Sequence, residues 1–317
     1  MTGDSGPRGF ASRKASSSSE PRAAVGVEVN DLTLRFGDVT ALDRLSFRLD
    51  GGKIYGLLGR NGSGKTSLLS VLAAFRKATD GQVRVGGADP FENDDVVRQI
   101  CLIRESGDVY ENDRVKCVLE TAQLFRPNWD DDYAAKLLDK FKLSARKRAQ
   151  TLSRGQKSAL GIVLGLATRA PLTIFDESYL GMDAPSRYAF YEELLADYVA
   201  HPRTIIISTH LIEEVASLFE EVVIIDEGRL VVHSEADTLR SRGALVTGPA
   251  EVVDTFVAGL TVLSEQTLGR VKAVTVYGEL NEAQVKGAAL AGIDLGPVSL
   301  QDLFVHLTRS GAQEALR

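Results

Sequence analysis

Residues 59–66 have the types and spacing of a loop that binds phosphate. The glycines of this loop allow successive backbone N–H groups to face one anion, because glycine adopts conformations closed to other residues. Lys65 can reach the β- and γ-phosphates of a nucleoside triphosphate, and the Thr66 hydroxyl can hold Mg²⁺. An apolar run before the loop, at residues 54–58, predicts a strand, and residues 67–75 predict a helix whose N-terminus adds positive charge. The pattern therefore predicts a nucleoside triphosphate site.

Two carboxylates, Asp176 and Glu177, follow an apolar run at residues 172–175. A short apolar run between helical segments predicts a central parallel strand, and α/β proteins bind ligands at the carboxyl ends of such strands. Ser153 precedes an apolar helix predicted at residues 159–170, where it can act as the N-cap. The start of that helix again offers backbone N–H groups to an anion.

The elements around these residues predict an α/β protein. Alternating segments at 25–29, 32–36 and 45–49 predict half-buried antiparallel strands, and helices at 116–125 and 131–141 predict a helical insertion, with Asp130 capping the second helix. A buried strand at 203–208 runs into Thr209 and His210, and residues 221–233 predict a hairpin. A strand at 272–277 and helices at 251–258 and 300–307 predict a separate small unit. The expected organisation is a disordered tail at 1–24, a main domain at 25–242 and a small α+β domain at 243–317.

Composition limits the classes of function. The chain has 317 residues, 44% of them hydrophobic, which suits a soluble globular protein with a sizeable core. A net charge of −6 argues against a nucleic-acid binder. Cys101 and Cys117 lack metal-ligand spacing and indicate a reducing compartment. No run approaches the roughly 18 apolar residues of a membrane span, so a membrane role would have to come through a partner.

Taken together, the motifs resemble the nucleotide-binding subunit of ATP-binding cassette (ABC) transporters over residues 25–243. Residues 59–66 match Walker A, 152–156 match the signature sequence, and 172–177 match Walker B with its catalytic glutamate. Residues 181–183 match the D-loop, His210 the switch histidine and Phe36 the adenine-stacking aromatic. Segments 125–130 and 299–304 narrow the resemblance to exporter ATPases of the bacitracin and acetoin-utilisation type. The implied fold is a P-loop NTPase cassette, with a RecA-like core, an antiparallel β subdomain and a helical signature subdomain.

The resemblance also implies a role for each matched position. Glu177 is expected to be the general base, His210 to keep the attacking water in line, and Lys65 to contribute to catalysis at the phosphates. The residues expected to contact ATP are Phe36, Gly59, Asn61, Gly62, Ser63, Gly64, Lys65, Thr66, Ser67, Glu105, Ser153, Gly155, Gln156 and Asp183. The residues expected to hold Mg²⁺ are Thr66, Asp176 and Glu105. ATP and Mg²⁺ are therefore the expected cofactors, and the chain is expected to be an active ATPase.

In this family, Ser153 and Gly155 would face the ATP of a second subunit, which implies two ATP molecules buried between head-to-tail partners. One chain carries every element, so a homodimer is expected, and a heterodimer stays open. A membrane permease is the other implied partner, which places the protein at the cytoplasmic face of the membrane, and nucleic acid is not expected. The C-terminal unit is expected to brace the dimer. The alternatives are a soluble cassette ATPase that acts on ribosomes or DNA, and an importer subunit.

Four positions depart from the family pattern. Glu105 stands where glutamine is usual, and a carboxylate binds Mg²⁺ more strongly than an amide but repels the γ-phosphate. We hypothesise that Glu105 tightens the Mg²⁺ requirement. Arg154 stands at a position of the signature where glycine is the commonest residue. Its side chain could point to solvent or contact a phosphate. Ser178 follows Walker B in place of proline, and Phe36 replaces a tyrosine. None of these changes removes a catalytic group.

Overall fold

The computed structural model describes residues 24–105, 112–278 and 280–308. The expected disordered tail at 1–24 lies outside this part of the chain, apart from Ala24. Within it, no helix combines the length and the apolar character that crossing a membrane requires.

The strands form three sheets in the described part of the chain. They are β1 (Val27–Phe36), β2 (Val39–Leu49), β3 (Ile54–Leu58), β4 (Asp80–Val85), β5 (Ile100–Arg104), β6 (Leu172–Asp176), β7 (Thr204–Ser208), β8 (Glu221–Asp226), β9 (Arg229–Glu235), β10 (Gly243–Pro249), β11 (Thr261–Leu268), β12 (Val271–Tyr277) and β13 (Asp294–Pro297).

Helices separate and cover these strands. They are α1 (Lys65–Leu72), α2 (Asp94–Val97), α3 (Val115–Phe125), α4 (Asp131–Lys140), α5 (Arg154–Thr168), α6 (Ala184–Ala200), α7 (Ile212–Val215), α8 (Ala236–Ser241), α9 (Ala250–Val257), α10 (Glu282–Leu290) and α11 (Leu300–Leu307).

The central sheet has six strands in the order β5-β6-β7-β3-β8-β9, and only β9 runs antiparallel to its neighbour. Every residue of β3, β6 and β7 is buried, which fits their nearly continuous apolar sequences. These three strands lie side by side, so their carboxyl ends meet at one edge of the sheet. The phosphate loop follows β3, the carboxylate pair lies at the end of β6, and His210 follows β7. The topology alone therefore brings the three predicted catalytic elements together.

The three-stranded sheet, in the order β2-β1-β4, is antiparallel and packs with one face of the central sheet and α1. The separate strands predicted at 25–29 and 32–36 are one strand, β1. A register shift lies between Val29 and Leu32, and Asp31 takes a positive φ of 49° there. This bulge interrupts the alternation of apolar residues, and it explains why the sequence pattern appeared as two segments.

The helical block consists of α3, α4 and α5, and its apolar faces join the largest buried cluster. Asp130 caps α4 as predicted, since its side chain accepts a hydrogen bond from the Tyr133 N–H at 2.8 Å. α5 begins at Arg154, before the predicted apolar run, because Ser153 is its N-cap. Ser158 and every residue from Ala159 to Thr168 are buried.

The C-terminal part contains an antiparallel sheet in the order β11-β12-β10-β13 with its own small core, which includes Val246, Val253 and Val274. The structure contains the predicted strand at 272–277 and the predicted helices at 251–258 and 300–307. The sequence analysis did not predict β10, β11, β13 or α10. Helix α11 contacts α7 and α8, and its Leu303 and Leu307 are fully buried in the core of the main domain. One helix thus ties the C-terminal sheet to the main domain.

Candidate active site

The phosphate loop contains glycines at positions where another residue would either be strained in its backbone or clash with neighbouring atoms. Gly62 and Gly64 have φ values of 81° and 104°. A Cβ on Gly64 would lie 2.7 Å from the Ala41 carbonyl oxygen, and one on Gly59 would lie 2.6 Å from the Ile225 carbonyl oxygen. Gly64 is the N-cap of α1, which therefore begins at Lys65 rather than at the predicted residue 67.

Neighbouring backbone braces the loop from behind. The Gly228 N–H donates to the Ser63 carbonyl at 2.9 Å, and the Asp43 N–H donates to the Gly228 carbonyl at 2.9 Å. The turn between β8 and β9 thereby connects the phosphate loop to β2. Asn61 is exposed at the tip of the loop, and Ser67 is half-buried in the first turn of α1.

Lys65 is only 7% exposed. Its ammonium group donates to the carbonyl oxygens of Gly59 at 2.6 Å and Arg60 at 3.3 Å. Burial lowers the pKa of Lys65, and the nearby carboxylates of Glu177 and Asp176 oppose that shift. The loop therefore holds a cation at the site where a phosphate chain would bind.

Thr66 and Asp176 supply oxygen ligands of the kind that Mg²⁺ prefers. The Thr66 hydroxyl donates to Asp176 Oδ2 at 3.0 Å. Asp176 is 5% exposed, and its Oδ1 is buried without a hydrogen-bond partner among the described residues. In the described part of the chain no three His, Cys, Asp or Glu side chains form a metal-binding group. Two protein oxygens, with water and phosphate completing the shell, are the usual protein contribution to a Mg²⁺–nucleotide site, so these residues fit the ion.

Glu177 and His210 face each other across the ends of β6 and β7. His210 Nδ1 lies 2.9 Å from Glu177 Oε2, within ion-pair distance but without the alignment of a hydrogen bond. The Glu177 N–H donates to the Ser208 carbonyl at 3.0 Å, and Glu177 takes a positive φ of 52°. A non-glycine residue in this conformation is uncommon and clusters at functional sites.

Burial raises the pKa of Glu177, whereas His210 and Lys65 pull it down. A carboxylate whose pKa is raised is a better proton acceptor, as a general base requires. His210 itself is half exposed, so it can turn toward a ligand.

The Walker cleft is the space beside these residues, with a volume of about 680 Å³. It is lined by Thr66, Arg104, Glu105, Leu152, Arg154, Lys157, Asp176 and Glu177. Glu105 Oε1 forms an ion pair with Arg154 Nη2. Arg154 therefore lines its own subunit's cleft, at the rim, with most of its side chain still exposed to solvent. The assignment of Glu105 to Mg²⁺ stays a prediction, and the structure gives one of its oxygens another partner.

The signature cleft is a second space, of about 300 Å³. It is lined by Phe141, Ser153, Gly155, Gln156, Ala159, Gly181, Met182, Asp183 and Ser186. Ser153 and Gln156 form a capping box, in which the Ser153 hydroxyl accepts from the Gln156 N–H at 3.2 Å and the Ser153 N–H donates to Gln156 Oε1 at 3.3 Å. A Cβ on Gly155 would lie 2.8 Å from the Gly181 carbonyl oxygen, so the signature and the D-loop pack directly together.

Asp183 has a structural role in addition to its predicted contact with a nucleotide. It is the N-cap of α6, accepting from the Ser186 N–H at 3.0 Å, and this hydrogen bonding lowers its pKa. The sequence analysis did not predict a role for Arg187, which donates to the Met182 carbonyl at 2.9 Å and to Glu214 Oε1 at 2.6 Å. Because Glu214 lies in α7, which begins two residues after His210, this ion pair joins the start of α6 to the segment that carries His210.

Phe36 lies at the end of β1, in the hairpin whose second strand touches the phosphate loop through Ala41 and Leu42. Its ring is 42% exposed, and the Arg76 guanidinium lies 5.3 Å from the ring centroid. Arg76 is a contact that spacing alone did not reveal. An exposed aromatic face in this hairpin is consistent with stacking on a base, which stays a prediction.

Comparison with known proteins agrees with the motifs. The ABC transporter family model matches residues 42–179. The chain is 30% identical over 305 residues to the bacitracin transport ATP-binding protein BcrA of Bacillus licheniformis, covering 90% of this chain and 98% of that protein. It is 27% identical over 313 residues to the daunorubicin resistance ATP-binding protein DrrA3 of Streptomyces coeruleorubidus, covering 90% of this chain and 96% of the relative.

Solved structures share the fold. An ATP-binding subunit of an ABC transporter superposes with a TM-score of 0.61 at 24% identity, covering 68% of this chain and 91% of that one. A dimeric cassette in a post-hydrolysis state, bound to ADP and Pi, superposes with a TM-score of 0.59 at 18% identity, covering 66% of this chain and 98% of that one. The predicted cassette fold is therefore confirmed. The chain belongs to the family of ABC transporter ATP-binding proteins and carries the ATPase cassette of that family.

Proposed function

We propose that this chain is the ATP-hydrolysing subunit of an exporter-type ABC transporter, and that closure of an ATP-bound dimer drives a separate membrane permease. One observation carries the proposal: three adjacent strand ends place the phosphate loop, the Asp176–Glu177 pair and His210 at a single edge of the central sheet. The names of the bacitracin and daunorubicin relatives, which refer to transport and drug resistance, favour export.

Binding of the triphosphate begins with the loop and Lys65. The Lys65 ammonium leaves the carbonyl oxygens of Gly59 and Arg60 and pairs with the β- and γ-phosphates, joined by loop N–H groups and the N-terminus of α1. Because Lys65 is buried, its charge acts in a low dielectric and contributes more than it would in water. Phe36 stacks on the base.

Thr66 and Asp176 hold Mg²⁺ in this proposal. The buried, unpartnered Oδ1 of Asp176 and the Thr66 hydroxyl are the oxygens available for it. When bound, the ion neutralises negative charge on the β- and γ-phosphates.

Glu177 accepts the proton of the attacking water, and His210 holds the water and Glu177 in line. The 2.9 Å contact between His210 Nδ1 and Glu177 Oε2 fixes their relative placement. Phosphoryl transfer needs mainly positioning and charge neutralisation, and a general base assists it by orienting the nucleophile.

The signature cleft acts on the nucleotide of a second copy. Ser153, Gly155 and Gln156 line a cleft from which Thr66, Asp176 and Glu177 are absent. A two-fold dimer would place the signature cleft of one copy over the Walker cleft of the other, and so complete two equivalent sites. A heterodimer with a related cassette would serve the same chemistry. The C-terminal sheet, tied to the main domain by α11, would brace the pair.

The permease would hold the protein at the cytoplasmic face of the membrane. A soluble cassette ATPase acting on ribosomes or DNA is the alternative, and the net charge of −6 disfavours it because nucleic-acid binding rests on cationic surface.

Tagged protein expressed in its native host tests the proposal. We expect it to co-purify with a polytopic membrane protein and to release inorganic phosphate from ATP when Mg²⁺ is present. Recovery with ribosomes or DNA, and without a membrane protein, would contradict the transport assignment. The matched control is the Lys65→Ala variant, which should release no phosphate above background.

A further inference from the structure

Two departures from the family pattern meet in space. Glu105 follows β5 at the edge of the central sheet, and Arg154 is the first residue of α5 in the helical block. They are 49 positions apart in sequence, yet Arg154 Nη2 and Glu105 Oε1 form an ion pair. Each residue alone is an anomaly, whereas together they form a charge-neutral contact.

Stability does not explain this pair. The side chains of Arg154 and Glu105 are 71% and 42% exposed, and ion pairs with such exposure contribute little to folding. Its location is the informative feature, because both residues line the Walker cleft with Thr66, Asp176 and Glu177.

The charges in the cleft explain why Glu105 needs a partner. Asp176, Glu177 and Glu105 together place three carboxylates around a space that would receive a polyphosphate. Asp176 and Glu177 have roles in the proposed chemistry, whereas Glu105 adds a negative charge where glutamine would be neutral. An unpaired carboxylate at this edge would repel the γ-phosphate. The other cations of the cleft, Arg104 and Lys157, also have interactions of their own.

The pair also crosses between two parts of the fold. β5 belongs to the central sheet, and the first turn of α5 presents Ser153, Gly155 and Gln156 to the signature cleft. The ion pair therefore joins the first turn of α5 to the end of β5 at the rim of the Walker cleft. A Cβ built on Gly181 would lie 2.9 Å from Arg154 Cγ, so the glycine at this position leaves room for the Arg154 side chain.

We propose that Arg154 is a positioning residue that neutralises Glu105 at the rim of its own subunit's Walker cleft, so that the cleft accepts the triphosphate. The role of Arg154 in this chain is thus exerted within one subunit, whereas its neighbours Ser153 and Gly155 serve the other. This inference rests on the proposed function, since it presumes that the cleft binds ATP.

A double-mutant cycle tests the inference in the full-length protein. The variants are Arg154→Ala, Glu105→Gln and the two together, and the measurement is the affinity for a fluorescent ATP analogue with Mg²⁺, alongside KM and kcat for ATP. We expect Arg154→Ala to weaken binding about fivefold, as one uncompensated but solvent-screened charge near a phosphate would. The double variant should bind within about twofold of the wild-type protein, because removing both charges restores the neutrality of the rim, and Glu105→Gln alone should bind more tightly.

The controls separate this role from a general loss of structure. Arg146→Ala removes an exposed cation from the connection between α4 and α5, outside both clefts, and should leave affinity unchanged. Arg154→Lys should retain most of the binding, because it keeps the positive charge. If Arg154→Ala unfolds at a lower temperature than the wild-type protein, Arg154→Gln takes its place. A double variant that binds as weakly as Arg154→Ala alone would overturn the inference. Failure of the wild-type protein to bind the analogue would instead overturn the proposed function.

Discussion

The Walker cleft and the signature cleft lie on two sides of the first turn of α5, and they differ in chemistry. The Walker cleft is lined by three carboxylates and three basic side chains, whereas the signature cleft offers two hydroxyls, an amide, glycine backbone and one carboxylate that already caps a helix. The first can hold a metal ion and activate water, and the second can only bind and orient. In the proposed dimer, each site would need one cleft of each kind.

Helix geometry explains how one short motif serves both clefts. Residues of an α-helix lie 100° apart around its axis, so Arg154 and Lys157 share one face while Gly155 and Ala159 share another. The first pair lines the Walker cleft, and the second pair lines the signature cleft. The first turn of α5 therefore separates the two clefts, and if they are half-sites of the proposed dimer, substitutions on its two faces should have separable effects.

Glu177→Gln should produce the largest effect in the Walker cleft. The amide cannot accept the proton of the attacking water, so we expect turnover to fall about 10³-fold, within the range that general-base catalysis provides. ATP binding should persist, because Lys65, Thr66 and Asp176 are intact, and the ATP-bound dimer should accumulate. Phosphate release and size-exclusion chromatography with ATP measure the two effects, and unchanged turnover would show that Glu177 is not the base.

Ser153→Ala should produce the next largest effect, from the opposite cleft. Removing the hydroxyl deletes the N-cap of α5 and, in the proposed dimer, one contact to the partner's nucleotide. We expect hydrolysis to fall about 10²-fold, and the free energy of unfolding to fall by only about 1 kcal/mol. Binding of ATP to monomeric protein at low concentration should not change. Weakened binding to the monomer would mean that Ser153 serves its own subunit.

His210→Ala should produce a smaller change that appears in the pH dependence of its residual activity. Glu177 must be ionised to act as a base, so the rate falls as pH drops through its pKa. The contact with His210 lowers that pKa, and its removal leaves burial to raise the pKa further. The acidic limb of the kcat profile should therefore move to higher pH. A limb that moves to lower pH or vanishes would show that it reports the histidine rather than Glu177.

The sequence predicted well the features that are local. The phosphate loop, the Asp176–Glu177 pair and the Ser153 cap each depend on residues adjacent in the chain, and the structure places each at the end of the predicted strand or at the start of a helix. Apolar runs sufficed for β3, β6 and β7, because strands buried on both faces need no alternation.

The sequence did not predict features that depend on tertiary contacts or on weak local signals. The Glu105–Arg154 and Arg187–Glu214 pairs join residues on different elements, so no spacing reveals them. Strand β13 is four residues long and contains glycine and proline, and β10 contains two glycines and ends in proline. Such strands resemble loops in sequence and are specified by their neighbours in the sheet.

Mixing two inactive variants tests most directly whether the clefts are two halves of one site. In the proposed dimer, each site takes its Walker cleft from one copy and its signature cleft from the other. A dimer of one Lys65→Ala copy and one Ser153→Ala copy would then have one site that carries both substitutions and one site that carries neither. A 1:1 mixture of differently tagged variants, with pull-down to verify exchange, should recover about a quarter of wild-type ATPase activity, because about half the dimers are mixed and each has one of two sites intact. A mixture that contains mixed dimers yet is no more active than the separate variants would contradict the account.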